Sequence, residues 1–314
     1  MTLKELYSKG KDRLKKAGIR DYQIDSFYLL EWVTGITKGA YFANDNQEVS
    51  IEDVKKYLAL VDERSKKIPL QHLMGVQEFM GLSFQVTPDV LIPRQDSEVL
   101  VETALRIIED EMKADKKRTG QVAKPQKEGK PSRETRFDKE YKVLDMCTGS
   151  GCIVVSILYY GGKFTSKLKG TGADICPFAL IIAEKNSKIN NVETMFIESD
   201  LFEKIDDKYQ MIVANPPYIK SSHIEKLDDE VKNYDPILSL DGGEDGLSFY
   251  REIIEKSRQH LECGGYLLFE IGYDQGLAVS KKMKEYGYKG VEVIKDLANN
   301  DRVVLGQVST YPDI

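Results

Sequence analysis

From Tyr141 onward the chain alternates short apolar runs with amphipathic stretches, and that alternation leaves few folds open. Residues 142–146 (Lys-Val-Leu-Asp-Met) read as a buried strand, 152–160 as a helix, 170–174 as the end of a second strand and 177–189 as a helix. Residues 194–197 and 211–214 read as further short strands, and a helix over 248–261 feeds the strongly apolar strand 265–271. Repeated βα units predict an α/β fold with a mostly parallel sheet and helices on both faces. The last strands, 290–294 and 302–308, stand too close in sequence for a crossover helix, so an antiparallel pair at one edge is expected.

What precedes Tyr141 has a different grain. Leu3, Leu6, Tyr7 and Leu14 fall at helical spacing, as do Ile24, Phe27, Tyr28, Leu30 and Trp32. Ser50 with Asp53 three positions on marks the start of a helix carrying Val54, Leu58 and Val61. A small helical bundle over 1–74 is predicted. Past Pro69, the run of Phe79, Leu82, Phe84, Val86 and Val90-Leu91-Ile92 reads as a β-hairpin, followed by a helix over 99–108. Residues 113–139 hold ten Lys/Arg against four Asp/Glu, two prolines and two glycines, so they are expected to form a mobile insertion in the second domain, 75–314.

Bulk properties exclude several classes. No apolar run approaches the ~20 residues of a membrane span, and Met1 to Leu6 enter a charged amphipathic pattern, so a cytoplasmic protein is expected. The net charge of −6 speaks against a simple electrostatic nucleic-acid binder. The four cysteines show no C-x-x-C pairing and the three histidines are scattered, which leaves no metal or disulfide framework.

Ligands of such sheets bind beyond the carboxyl ends of the strands. The strand ending at Asp145 and Met146 runs through Cys147, Thr148, Gly149, Ser150 and Gly151 straight into a helix. The glycines permit a tight turn and close backbone approach to a ligand. Val154 stands where the dinucleotide fingerprint wants its third glycine, which argues against a pyrophosphate cofactor. Asp174 closes the second strand, where a carboxylate can take both ribose hydroxyls. Asp200 closes the third, facing an adenine edge with apolar neighbours beside it. Acids after successive strands, with no cationic phosphate clamp, favour S-adenosylmethionine.

The fourth strand runs into Asn215-Pro216-Pro217-Tyr218, the most specific motif in the chain. Two prolines fix the backbone, so the Asn215 amide and the Pro216 carbonyl are preset acceptors for the two hydrogens of a planar NH₂ group. Tyr218 can cover that group by stacking. Methyl transfer to an amide or amine nitrogen is the chemistry this suits.

With these residues in view, the chain resembles the peptide chain release factor N5-glutamine methyltransferases. The resemblance extends over Pro69-Leu70-Gln71-His72-Leu73-Met74-Gly75, Glu78-Phe79-Met80-Gly81 and residues 86–94. It continues through 240–247 (Leu-Asp-Gly-Gly-Glu-Asp-Gly-Leu), Asp274-Gln275-Gly276 and residues 296–304, sparing only 113–139. It implies a Rossmann-like methyltransferase domain behind a helical substrate-recognition domain. The implied acceptor is the glutamine of the Gly-Gly-Gln loop in bacterial class 1 release factors. Carried over for the cofactor are Cys147 to Gly151, Asp174 and Asn215, with Leu201 beside the adenine and Leu91 and Arg94 closing over the methionine end. Asn215 to Tyr218 carry over as the substrate-binding stretch. The family commonly has Gly where this chain has Cys147, and Gly near Asn299-Asn300. The rival reading is an adenine-N6 or guanine-N2 nucleic-acid methyltransferase, disfavoured by the acidic surface and the lack of a target-recognition domain.

Overall fold

The computed structural model describes residues 1–122 and 140–309. In chain order the elements are α1 (Leu3–Lys16), α2 (Tyr22–Thr34), α3 (Lys38–Ala43), α4 (Ile51–Arg64), α5 (Leu70–Met74), β1 (Val76–Phe79), β2 (Leu82–Gln85) and α6 (Glu98–Val122). Then follow β3 (Tyr141–Met146), α7 (Cys152–Gly161), β4 (Leu168–Asp174), α8 (Pro177–Ile189), β5 (Met195–Glu198) and β6 (Tyr209–Ala214). The rest are α9 (Ser221–Ile224), α10 (Asp229–Tyr234), α11 (Ser248–His260), β7 (Leu261–Glu270), α12 (Gly276–Glu285), β8 (Lys289–Lys295) and β9 (Asp301–Gln307).

Two compact units emerge. The first takes Met1–Val76 together with Val86–Pro88 and Leu227–Asp235, so α10 belongs with the N-terminal helices although far along the chain. Thr2 and Glu5 close a capping box on α1, and the Ser50 hydroxyl accepts from Asp53 N–H (3.0 Å) to start α4 where the sequence predicts. Tyr57 is buried over Gly10 and shares a 2.6 Å hydrogen bond with Ser26. Arg64, almost wholly buried, pairs with Asp25 on α2 (2.8 Å) and Glu230 on α10 (2.7 Å) and donates to the Ile68 carbonyl. A buried guanidinium with three acceptors is satisfied, so it joins the helices without a stranded charge.

The second unit comprises Gln77–Gln85, Asp89–Lys226 and Pro236–Ile314. Its seven-stranded sheet has the order β5-β4-β3-β6-β7-β9-β8. The first five strands are parallel to one another; β9 runs antiparallel to both β7 and β8. This is the α/β sheet with an antiparallel edge pair that the sequence predicts. The apolar side chains on its two faces form separate buried clusters, one with α6 and α7, the other with α11 and α12.

Two local expectations change. The hairpin ends at Gln85; Pro88 and Pro93 remove ladder donors, and residues 86–94 run as irregular chain. Of the insertion expected over 113–139, residues 113–122 belong to the helix α6, and residues 123–139 lie outside the described residues.

Candidate active site

Register builds the site before any side chain is considered. Met146, the last residue of β3, pairs with Ala173 on β4 and with Ala214 on β6, and Ala214 pairs with Phe269 on β7. The four residues that follow this row are therefore Asp174, Cys147, Asn215 and Glu270. They stand at one level, side by side, at the carboxyl edge of the sheet. The order reverses between β3 and β6, where a crevice must open. A cavity of about 430 Å³ lies there.

Most of the predicted cofactor residues line it: Leu91, Arg94, Cys147, Thr148, Gly149, Ser150, Asp174, Asp200, Leu201 and Asn215. Gly151 does not. It caps α7 at φ +78°, and a Cβ there would stand 3.0 Å from Ala183 Cβ, so this glycine serves helix packing. Gly149 is the opposite case, with φ +53° and nothing within 4 Å of an added Cβ, which leaves the space above it open to the cavity.

The loop is held from below. Asp145 accepts from the Thr148 hydroxyl (2.7 Å) and Val154 N–H (3.2 Å), and burial pushes its carboxyl up to about 7. Asp174 accepts from Gly149 N–H (2.8 Å) with one oxygen and Cys176 N–H (2.9 Å) with the other. Burial raises the Asp174 carboxyl against the pull of these donors. A carboxylate has about four acceptor positions, so with Gly149, Cys176 and Ile175 donating, acceptor capacity remains for a ligand hydroxyl. Burial first, then Asp174, Asp145 and Asp200, push the Cys147 thiol well above its ordinary range, so it stays protonated. Arg94 is the one basic side chain on the described lining. Two neighbouring acids, apolar Leu91 and Leu201 and an open glycine shelf fit a cationic nucleoside without phosphates.

The Asn215 to Tyr218 loop is clamped on its far side. Pro217 lines the cavity, Pro216 is buried behind it, and Tyr218 is half-buried against the core. Ile219 N–H donates to the Leu240 carbonyl (2.9 Å) and Gly242 N–H to the Ile219 carbonyl (2.8 Å). A Cβ on Gly242 would meet Tyr218 Cα at 2.7 Å, and one on Gly246 the Tyr218 carbonyl at 2.5 Å. The 240–247 motif is thus glycine-rich because backbone lies on backbone. Gln275 completes the clamp: its amide N–H groups donate to the Tyr218 (3.0 Å) and Gly246 (3.1 Å) carbonyls, and its oxygen accepts from Gly272 N–H (3.0 Å).

Sequence reasoning missed Ser97 and Glu270. Asn215 Nδ2 donates to Ser97 Oγ (3.3 Å), which leaves Oδ1 as the acceptor end of the amide. Glu270 is buried next in the row, and burial pushes its carboxyl up to about 7 although Ser97 and Asn215 donate to it. One signal was available: a charged residue closing the apolar run Leu267-Leu268-Phe269.

Comparisons with known proteins converge. A family model described as the PrmC N-terminal domain matches residues 5–75, and one described as the methyltransferase small domain matches residues 133–230. The chain is 38% identical over 310 residues to a release factor glutamine methyltransferase of Clostridium botulinum, covering 97% of this chain and 98% of that one. It is 37% identical over 312 residues to the protein of that description in Clostridium acetobutylicum, with 97% and 98% covered. Among solved structures, the hMettl16 catalytic domain, crystallised with an RNA hairpin, is 18% identical, with a TM-score of 0.50 and coverage of 81% and 83%; it shares the fold.

Proposed function

The chain belongs to the release factor glutamine methyltransferases, and from that premise we propose that Asn215 to Tyr218 hold the side-chain amide of a release-factor glutamine for methylation at N5. The enzyme is an S-adenosylmethionine-dependent protein-glutamine N-methyltransferase. The observation that carries the site assignment is the row Asp174, Cys147, Asn215, Glu270. It sets Asp174 and the Asn-Pro-Pro-Tyr loop on either side of the Cys147 loop, at the carboxyl ends of β4, β3 and β6.

Asp174 would hold the ribose, Asp200 and Leu201 the adenine, and the 147–150 loop with Leu91 and Arg94 the methionine portion. When bound, S-adenosylmethionine supplies an electrophilic methyl group on sulfur. Asn215 Oδ1 and the Pro216 carbonyl accept from the substrate NH₂, holding the nitrogen in one plane and orientation. An amide nitrogen is a weak nucleophile, because its lone pair is shared with the carbonyl. Acceptors on both N–H groups raise its electron density, and alignment then supplies most of the acceleration. No charged base is needed before transfer, because the N-methylated amide becomes acidic and releases its proton afterwards. Class 1 factors with a Gly-Gly-Gln loop are the substrates this reading names, with the N-terminal helical unit gripping the protein around that loop.

Asn215→Ala should remain folded and lose methyl transfer to a purified release factor. Labelled cofactor tested against release factor, tRNA, rRNA and DNA gives the readout. A folded Asn215→Ala protein with near-parental turnover, or labelling of nucleic acid in preference to release factor, overturns the assignment.

A further inference from the structure

Glu270 is a costly residue for this fold. It is 2% exposed, and its Oε2 has no hydrogen-bond partner. Arg302, the cation that acts on it electrostatically, forms no ion pair with it: the guanidinium bonds Asp96 (3.1 Å), Asp296 (3.1 Å) and the Ile271 carbonyl, and its buried Nε has no partner. A buried carboxylate with no direct ion pair is destabilising compared with a neutral side chain of equal shape. Stability therefore does not account for a glutamate here.

Its hydrogen bonds do. Ser97, in the turn before α6, and Asn215 both donate to Glu270, and Asn215 Nδ2 also reaches Ser97 Oγ at 3.3 Å. An ionised carboxylate only accepts. Ser97 must then point its hydroxyl hydrogen at Glu270 and turn its lone pairs to Asn215. The Asn215 amide has to meet both with its NH₂ end, which sends Oδ1 outward. A neutral amide at 270 imposes no such direction: it can donate to Ser97, which can then donate to Asn215 Oδ1 and turn the amide over.

We propose that Glu270, acting directly and through Ser97, is a positioning residue that selects the Asn215 rotamer presenting its oxygen to the substrate amide. The inference rests on the reading of Asn215 as the substrate acceptor and adds what orients it. The groups facing Glu270 are Arg302 on β9, Asp96 before α6, Tyr218 after β6, Tyr250 on α11 and Cys152 on α7. Burial first holds Tyr218 and Cys152 up to about 12 and Tyr250 well above its usual value, so these three stay neutral around pH 7.

The test uses the full chain, a purified release factor and S-adenosylmethionine, with Glu270→Gln, Ser97→Ala, the double variant and Asn215→Ala. Misplacement of a positioning group costs on the order of 10²-fold in kcat. Glu270→Gln should lose roughly that factor, with KM for release factor within about twofold and a melting temperature at pH 8 no lower than the parent. Parental kcat should rise through about pH 7 as Glu270 ionises, and Glu270→Gln should lose that rise. Ser97→Ala should lose kcat too, and the double variant should be no worse than the poorer single one, because the two act on one amide. Glu270→Gln and Ser97→Ala with parental kcat beside an inactive Asn215→Ala overturn the positioning role alone; an active Asn215→Ala overturns the reading beneath it. If Glu270→Gln does not fold, Ser97→Ala decides: parental kcat refutes the relay, a loss at unchanged KM supports it.

Discussion

Cys147 sits at φ +61° and Leu201 at φ +45°, and both line the cavity at the carboxyl edge of the sheet. A side chain in the left-handed region costs roughly 1–2 kcal/mol, and such strain gathers where a loop must meet a ligand. Cys147→Gly removes that cost and only a partly buried thiol. It should raise stability by about 0.5–1 kcal/mol, seen as a higher melting temperature with unchanged methyl transfer; a lower melting temperature would mean that the contacts of the thiol outweigh the strain. Asp174→Ala takes two backbone donors' acceptor away as well as the proposed ribose contact. Calorimetry with S-adenosylmethionine should show affinity weakened by on the order of 1.5–3 kcal/mol; unchanged affinity would remove Asp174 from the site. Asp174, Asn215 and the glycine loop were legible in the sequence because each closes or directly follows its own strand. Ser97 and Glu270 were not. Ser97 meets Asn215 from 118 positions away, and Glu270 joins them only through the β6–β7 register.

At the scale of elements, the Asn-Pro-Pro-Tyr loop owes its shape to segments that carry no chemistry. Gln275 precedes α12 and is bonded to both Tyr218 and Gly246. Gln275→Leu has a similar volume but leaves two carbonyls without those donors. It should cost on the order of 2–3 kcal/mol of stability and lower kcat while leaving cofactor affinity near the parental value. Chemical denaturation and steady-state kinetics check this, and full activity would show that the 240–247 clamp suffices alone. The motifs 240–247 and Asp274-Gln275-Gly276 were visible as a resemblance, yet their purpose was not. A glycine beneath a backbone and an amide between two carbonyls mean nothing until both partners are placed. The βα order was legible because its apolar periodicity is local. The end of the hairpin was not, since paired and irregular extended chain share one pattern of apolar residues.

Across the whole molecule, buried carboxyls set how stability responds to pH. Burial raises Asp145 and Glu270 from the ordinary carboxylate range to about 7. A raised carboxyl keeps its proton longer in the folded state than in the unfolded one. Each therefore costs nothing below its ordinary pKa, costs progressively more as pH climbs toward 7, and costs a constant amount beyond. Asp145→Asn removes one such group and still offers an oxygen to Thr148 and Val154. Its melting temperature relative to the parent should rise steadily between about pH 4 and 7 and then level, and a difference flat across that range would show that Asp145 titrates normally. The sheet order carries a different consequence. Strand β9 lies between β7 and β8 and supplies the ladder of both, although it follows both of them in the chain. As a nascent chain leaves the ribosome, β7 waits with a bare edge and β8 without a partner until Asp301–Gln307 emerges. A premature stop before Asp301 thus leaves an open edge prone to pairing with other chains, and not merely a shorter enzyme.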